Sequence, residues 1–130
     1  MVKDESTIVA VVDDDTRVLE SLEDLLESAG HTVLSFGSGQ ALLDNDAFST
    51  IDCLIADIGM PRLDGFELQR LARARRPELP IIFITGRHSE IADRQRAAVL
   101  GNNGFFRKPF DGRVLLAAVG RAVCASNEGS

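Results

Sequence analysis

Apolar residues along this chain fall into two kinds of segment that alternate. Short runs rich in Val, Ile and Phe indicate strands, and longer segments whose apolar residues recur every three or four positions indicate amphipathic helices. The predicted strands span residues 8–12, 32–36, 53–56, 81–84 and 105–106. The predicted helices span residues 16–29, 40–48, 65–75, 90–100 and 113–123. Around the first helix, Asp15 is a suitable N-cap and Gly30 a suitable residue just past the C-terminal end.

This order of elements predicts the fold class. Strands that alternate with helices are parallel and joined by right-handed crossovers, so one α/β sheet carries helices on both faces as a three-layer sandwich. Runs 8–12 and 81–84 are apolar throughout, as in central strands, whereas 32–36 alternates and 105–106 is short, which is typical of edges. The pattern favours a flavodoxin-like (βα)5 fold with a parallel five-stranded sheet of order 2-1-3-4-5 over a six-stranded dinucleotide fold.

Composition limits the classes of function. The 130 residues suffice for one domain, which we place at residues 7–125, with a disordered N-terminus at 1–6 and a polar tail at 126–130. A net charge of −6 argues against direct nucleic-acid binding, which needs clustered cations. The apolar runs are far shorter than the roughly 20 residues of a membrane span. The first residues do not form a secretion signal, so we expect a cytoplasmic location.

Polar residues that can carry chemistry follow four of the five predicted strands. The ligand site of an open parallel sheet lies beyond the carboxyl ends of its strands, near the point where the strand order reverses. The residues predicted to meet there are Asp13, Asp14, Asp15, Asp57, Thr85 and Lys108.

Each of these residues alone also has an ordinary structural explanation. Asp15 fits a helix cap, Asp57 a turn and Lys108 a solvated side chain. Asp13 and Asp14 are harder to explain in this way, because adjacent carboxylates repel unless a cation or a proton relieves them. The convergence of all these types on one rim favours a functional site.

The predicted rim suits a magnesium ion. Carboxylate and carbonyl oxygens with retained waters are the ligands that Mg²⁺ prefers. Asp14 and Asp57 are candidates for direct ligands, Asp13 for a ligand through water, and the Gly59 backbone carbonyl for a further ligand.

The same rim suits phosphoryl transfer to a carboxylate. An aspartate can act as the nucleophile and form an acyl phosphate. A metal ion together with Lys108 would neutralise the transferring oxygens, and the Thr85 hydroxyl would donate a hydrogen bond to one of them. Asp57, at the end of an apolar strand, is the candidate acceptor.

Four segments resemble the signatures of the receiver domain of two-component response regulators. These are VVDDD (11–15), IADIGMPRLDG (55–65), ITG (84–86) and FFRKPF (105–110). The resemblance covers about residues 7–123, nearly the whole chain. The ITG triplet and the acidic first loop are reminiscent of the FixJ-type subgroup.

The resemblance implies a role for each matching residue. Asp13 and Asp14 would form an acidic Mg²⁺ pocket, completed by Asp57 and the Gly59 carbonyl. Asp57 would accept the phosphoryl group, and Lys108 would pair with it. The resemblance also implies a switch pair, Thr85 and Phe105, and a candidate cis peptide bond between Lys108 and Pro109.

The resemblance further implies the partners. A sensor histidine kinase or a phosphotransfer protein would donate the phosphoryl group, so the chain would catalyse only its own phosphorylation and dephosphorylation. A downstream effector would bind the face formed by the fourth helix, the fifth strand and the fifth helix. A phosphorylation-dependent dimer is a further expectation.

Three alternative functions stay open at this point. An aspartyl-phosphate phosphatase of the haloacid-dehalogenase kind shares the nucleophile and the metal, but it generally has a second acid where this chain has Gly59. A flavodoxin-like cofactor binder is disfavoured, because the acidic first loop would repel a flavin phosphate. A receiver that binds partners without phosphorylation is the third alternative.

Other polar residues are predicted to have structural roles. Cys53 and Cys124 lack metal-site spacing and are expected to be free thiols. His31 and His88 are expected to be solvated or capping residues rather than ligands. Arg70, Arg73, Arg75 and Arg76 are expected to form an exposed helix face. The polar stretch 102–104 predicts a loosely held approach to the fifth strand.

Overall fold

The computed structural model describes residues 7–86, 95–96, 98 and 103–128, with side chains described as far as 124. Most of the predicted helix 90–100, together with Arg87, His88 and Asn102, lies outside these residues. The strands are β1 (Ile8–Val12), β2 (Thr32–Phe36), β3 (Cys53–Asp57), β4 (Ile81–Thr85) and β5 (Phe105–Arg107).

The sheet has the predicted topology. Its five strands lie in the order β2-β1-β3-β4-β5, and every neighbouring pair is parallel. The flavodoxin-like fold is therefore confirmed, with β2 and β5 at the edges. β3 and β4 each extend one residue beyond the predicted end, so Asp57 and Thr85 are the last residues of their strands.

Two apolar cores cover the two faces of the sheet. Successive side chains of a strand point to opposite faces, so Ala10 and Leu54 belong to one core while Val9 and Val11 belong to the other. Every residue of β3 and β4 is buried. This double burial explains why the central strands are apolar without alternation.

The helices largely follow the predicted spans, with one exception. α1 (Thr16–Ser28) has Asp15 as its N-cap, whose carboxylate accepts the Arg17 N–H at 2.9 Å. Gly30 follows its end with a φ of 92°, a conformation that glycine adopts without steric cost. The continuous helix predicted over 40–48 is wrong, because α2 (Gly39–Leu43) stops early and a 3₁₀ turn (Asp46–Thr50) follows.

A polar side chain accounts for this break. Asn45 Oδ1 accepts the Ala47 N–H at 2.8 Å, so Asn45 caps the 3₁₀ turn. Such local bonds compete with helix continuation. The turn also brings Phe48 into the core, where only 1% of its surface is exposed.

The last two helices complete the described fold. α3 (Gly65–Arg75) has the predicted bounds, and the carboxylate of its N-cap Asp64 accepts the Glu67 N–H at 2.9 Å. The C-terminal helix (Gly112–Glu128) runs past the predicted end at residue 123. The Lys108–Pro109 bond, which the resemblance made a candidate for a cis peptide, is cis. Among the described helices, none combines the length and apolar character that crossing a membrane requires.

Candidate functional site

Three carboxylates meet at the carboxyl end of the sheet. β1 and β3 pair with Val12 opposite Ala56, so Asp13 and Asp57 leave neighbouring strands at the same level. One carboxylate oxygen from each of Asp13, Asp14 and Asp57 lies within 4.8 Å of the others. Asp13 is fully buried and Asp57 is 6% exposed, whereas Asp14 faces solvent.

Lys108 places an ammonium group between the two buried acids. Its Nζ lies 2.9 Å from Asp13 Oδ2 and 3.4 Å from Asp57 Oδ2. Its backbone N–H donates to the Thr85 carbonyl oxygen at 2.7 Å, which fixes the lysine beside the end of β4. Lys108 is thus bonded to residues at the carboxyl ends of three strands, β1, β3 and β4.

Burial and charge act against each other in this cluster. Burial raises the pKa of Asp13, and the hydrogen bond from Lys108 offsets that rise only in part. Burial alone would lower the pKa of Lys108, but its contacts with Asp13 and Asp57 outweigh burial and raise it. Lys108 therefore stays protonated, and an ionised Asp13 depends on the positive charge beside it.

Backbone N–H groups orient the two buried carboxylates. Gly59 N–H donates to Asp57 Oδ1 at 3.0 Å, and Asp15 N–H donates to Asp13 Oδ1 at 2.9 Å. Both Oδ2 atoms are left on the side of Lys108. Each of the two carboxylates is therefore held in one orientation, with its Oδ2 directed toward the Lys108 ammonium group.

This set of donors fits a small divalent cation. All three acidic side chains offer oxygen, which is the ligand type that Mg²⁺ prefers, and the exposed Asp14 leaves room for retained waters. Gly59, whose carbonyl was predicted as a further ligand, lies in the same loop, two residues after Asp57.

Gly65 is a functional position that sequence reasoning missed. A Cβ there would lie 2.7 Å from Ile58 Cα and 2.8 Å from the Asp57 carbonyl oxygen. Only glycine lets the start of α3 pack this closely against the backbone at the end of β3. A glycine at the first position of a helix, where no unusual backbone conformation requires it, was the available signal.

The predicted switch residues lie on the two strands at one side of the sheet. Thr85 is fully buried at the end of β4. Phe105 is half-buried on β5, opposite Phe83, and the two ring centroids are 6.4 Å apart in an edge arrangement. Phe83 in turn stacks on Phe66 at 5.1 Å, so Phe105 is linked through aromatic contacts to α3.

The approach to β5 is anchored at Asn103. Its Oδ1 accepts the Ile81 N–H at 2.9 Å, and its own N–H donates to the Ile81 carbonyl at 2.8 Å. This two-way pairing fixes β5 against the start of β4. The predicted loose approach is therefore wrong at Asn103.

The arginines in and just after α3 only partly form the predicted exposed face. Arg70 and Arg75 are exposed, as predicted, and Arg70 pairs with Glu67 on the surface, whereas Arg73 and Arg76 are half-buried. The three arginines other than Arg70 donate to backbone carbonyls: Arg73 to Leu79, Arg75 to Leu43, and Arg76 to Phe48 and Ile51. Arg73, Arg75 and Arg76 therefore satisfy backbone carbonyl groups of residues outside α3.

Neither Cys53 nor Cys124 forms a disulfide, as predicted. Burial raises the pKa of the Cys53 thiol to about 12, so this thiol stays protonated and inert. His31 lies at the opposite end of the sheet from the acids, with its Nδ1 2.6 Å from Thr7 Oγ1. Neither Cys53 nor His31 belongs to the acidic site.

The sheet order and the acidic rim with its lysine define a signalling domain of the receiver type. The model of the response regulator receiver domain family matches residues 9–120, so the chain belongs to that family. Domains of this family act in phosphorylation-dependent signalling rather than as classical enzymes. They typically bind Mg²⁺ at an acidic pocket, and response regulators interact with histidine kinases.

Similar proteins agree with this assignment. The chain is 37% identical over 120 residues to the response regulator TodT of Pseudomonas putida, covering 92% of this chain and 52% of TodT. It is 36% identical over 115 residues to the transcriptional regulator FixJ of Bradyrhizobium diazoefficiens, covering 88% and 56%. The chain thus spans about half the length of these relatives.

A solved structure supports the fold independently. The crystal structure of a response regulator receiver domain protein from Clostridium thermocellum superposes with a TM-score of 0.86 at 26% identity, covering 95% of this chain and 99% of that one.

Proposed function

We propose that Asp57 accepts a phosphoryl group from the phosphohistidine of a sensor histidine kinase or a phosphotransfer protein, and that this modification switches a partner-binding surface. One observation carries the proposal. Of the three clustered carboxylates, Asp57 is at once slightly exposed, oriented by a backbone N–H and in contact with Lys108. Asp13 is fully buried, and Asp14 is exposed.

The transfer uses groups that the rim already positions. One Asp57 carboxylate oxygen forms the new O–P bond as the P–N bond to the donor histidine breaks, and the departing imidazole nitrogen takes a proton from solvent. Lys108 Nζ, which now contacts Asp57, pairs with the phosphoryl oxygens that replace the free carboxylate. The Thr85 hydroxyl donates to one of those oxygens.

Asp13, Asp14, Asp57 and the Gly59 carbonyl are proposed to hold Mg²⁺ during this reaction. The bound ion supplies positive charge to the phosphoryl oxygens, as in other phosphoryl transfers. The protein contributes position, because the backbone N–H groups of Asp15 and Gly59 fix the carboxylates beforehand.

The switch is proposed to run from Thr85 to Phe105. Movement of Thr85 toward the phosphate would open space for Phe105 to rotate, changing the surface formed by β5, the C-terminal helix and the predicted helix 90–100. An effector, or a second copy of the chain, would bind that surface. The phosphate must favour the active state by a few kcal/mol to shift the population usefully.

Intact-mass measurement after incubation with acetyl phosphate tests the acceptor. With Mg²⁺ the protein is expected to gain one phosphoryl group, and with EDTA none. Asp57→Asn is expected to stay unmodified. Asp24→Asn makes the same charge change at an exposed position of α1, away from the rim, and is expected to behave as the original protein. An unmodified original protein, or an adduct that persists in Asp57→Asn, would contradict the proposal.

A further inference from the structure

A second concave site lies on α3, apart from the acidic rim. It is a cleft of about 400 Å³ formed by α3 and Arg96. Arg70, Arg73 and Arg96 line it, together with Glu67 and Phe66. We refer to it as the arginine cleft.

The lining residues of the arginine cleft carry excess positive charge. Among the described lining residues Glu67 is the one acid, and its Oε1 accepts from Arg70 Nε at 3.3 Å, so these two charges offset each other. Arg73 is half-buried, and its described hydrogen bond goes to the Leu79 carbonyl oxygen, which carries no formal charge. Burial lowers the pKa of Arg73.

Arg96 adds a third guanidinium at the edge of the cleft. Its Cζ lies 4.5 Å from the centroid of the Phe66 ring, so the guanidinium makes a cation–π contact with that ring. Three guanidinium forks against one carboxylate suit a ligand that carries several carboxylates, because such forks match carboxylate geometry.

We propose that the arginine cleft binds an acidic peptide segment of a partner protein. The positively charged cleft would attract an acidic segment. The rest of the surface would repel the same segment, because the chain has a net charge of −6. A volume of about 400 Å³ is in the range of pockets that take ligands much larger than one small anion. The aliphatic stems of the arginines would cover the apolar parts of such a segment.

Fluorescence anisotropy with a labelled peptide of alternating glutamate and leucine tests the site. The glutamine counterpart of this peptide is the matched probe, and inorganic phosphate is the competitor. The double variant Arg70→Gln and Arg96→Gln is expected to weaken glutamate-peptide binding about tenfold at low salt. Arg113→Gln removes another exposed arginine that pairs with a neighbouring acid, outside the cleft, and is expected to change nothing.

The Glu67→Gln variant is expected to gain peptide binding, a result that loss of folding would not produce. Removal of this acid, the one among the described lining residues, is expected to strengthen binding of the glutamate peptide severalfold, and high salt is expected to abolish that gain. Three results would each overturn the proposal. The glutamine peptide could bind as tightly as the glutamate peptide, or the double arginine variant could bind the glutamate peptide unchanged. Inorganic phosphate could also displace the peptide fully at concentrations that screen charge only weakly.

Discussion

Asp13 illustrates at the scale of one residue how a functional site costs stability. Its carboxylate is fully buried and faces the like charge of Asp57, with Lys108 as the compensating cation. We expect Asp13→Asn to stabilise the metal-free protein, because the amide keeps an acceptor for the Asp15 N–H, removes a buried charge that faces Asp57, and leaves Lys108 paired with Asp57. Urea unfolding in EDTA measures the difference, with Asp24→Asn as the control. A less stable Asp13→Asn would contradict the expectation.

The pH dependence of this gain follows from the raised pKa of Asp13. The folded state holds the proton of Asp13 more tightly than the unfolded state, whose pKa is near 3.8. The cost of ionised Asp13 is therefore fully present at neutral pH and declines as the pH falls through the raised pKa. The stability difference between Asp13→Asn and the original protein is expected to shrink in the same range.

Single residues differ in how far the sequence predicts them. Asp13, Asp57, Thr85 and Lys108 were predictable as site candidates, since the ends of parallel strands share one rim. The structure brings Asp13, Asp57 and Lys108 into contact. Gly65 was not predictable in its role, because the clash at its Cβ depends on how closely α3 approaches the loop after β3.

At the scale of elements, two glycines in helices are expected to respond oppositely to the same change. Gly65→Ala would force a Cβ against backbone atoms of Asp57 and Ile58, and overpacking of this kind costs about 1 to 3 kcal/mol. Gly120→Ala, in the C-terminal helix with no atom within 4 Å of the added Cβ, is expected to stabilise by about 0.5 to 1 kcal/mol. Urea unfolding of both variants measures the two shifts.

The rate of phosphorylation is a second measurement for the Gly65→Ala variant. Displacement of α3 would also disturb the loop that orients Asp57, so phosphorylation of Gly65→Ala is expected to slow while that of Gly120→Ala stays unchanged. Equal stability changes in the two variants would show that helix propensity, rather than the close approach of α3, governs position 65.

The elements that the sequence predicted poorly are those decided by local polar bonds. β1, β2 and α3 have the predicted bounds because their apolar periodicity decides them. The break between α2 and the 3₁₀ turn depends on one Asn45 side chain, which periodicity does not register. The arginines of α3 were read as a solvated face because their carbonyl partners lie far away in sequence.

At the scale of the whole molecule, opposite charges are separated onto different faces. The acidic cluster lies at the carboxyl end of the sheet, and the arginine cleft lies along α3. Aromatic contacts from Phe66 through Phe83 to Phe105 run between α3 and the predicted switch strand. The arginine cleft is therefore connected through the core to the predicted switch strand.

Divalent metal is expected to stabilise the entire fold, because the folded chain alone assembles the three carboxylates of the rim. A ligand that binds only the folded state adds stability that rises with its concentration, about 2.7 kcal/mol at one hundred times its dissociation constant. We therefore expect Mg²⁺ to raise the melting temperature, and NaCl of matched ionic strength to raise it much less. Asp57→Asn removes one predicted ligand and is expected to lose most of the Mg²⁺ effect, whereas Asp24→Asn retains it. A melting temperature that responds equally to Mg²⁺ and NaCl would mean that the rim acts only as a diffuse negative surface, and the Mg²⁺ site would have to be abandoned even if Asp57 were phosphorylated.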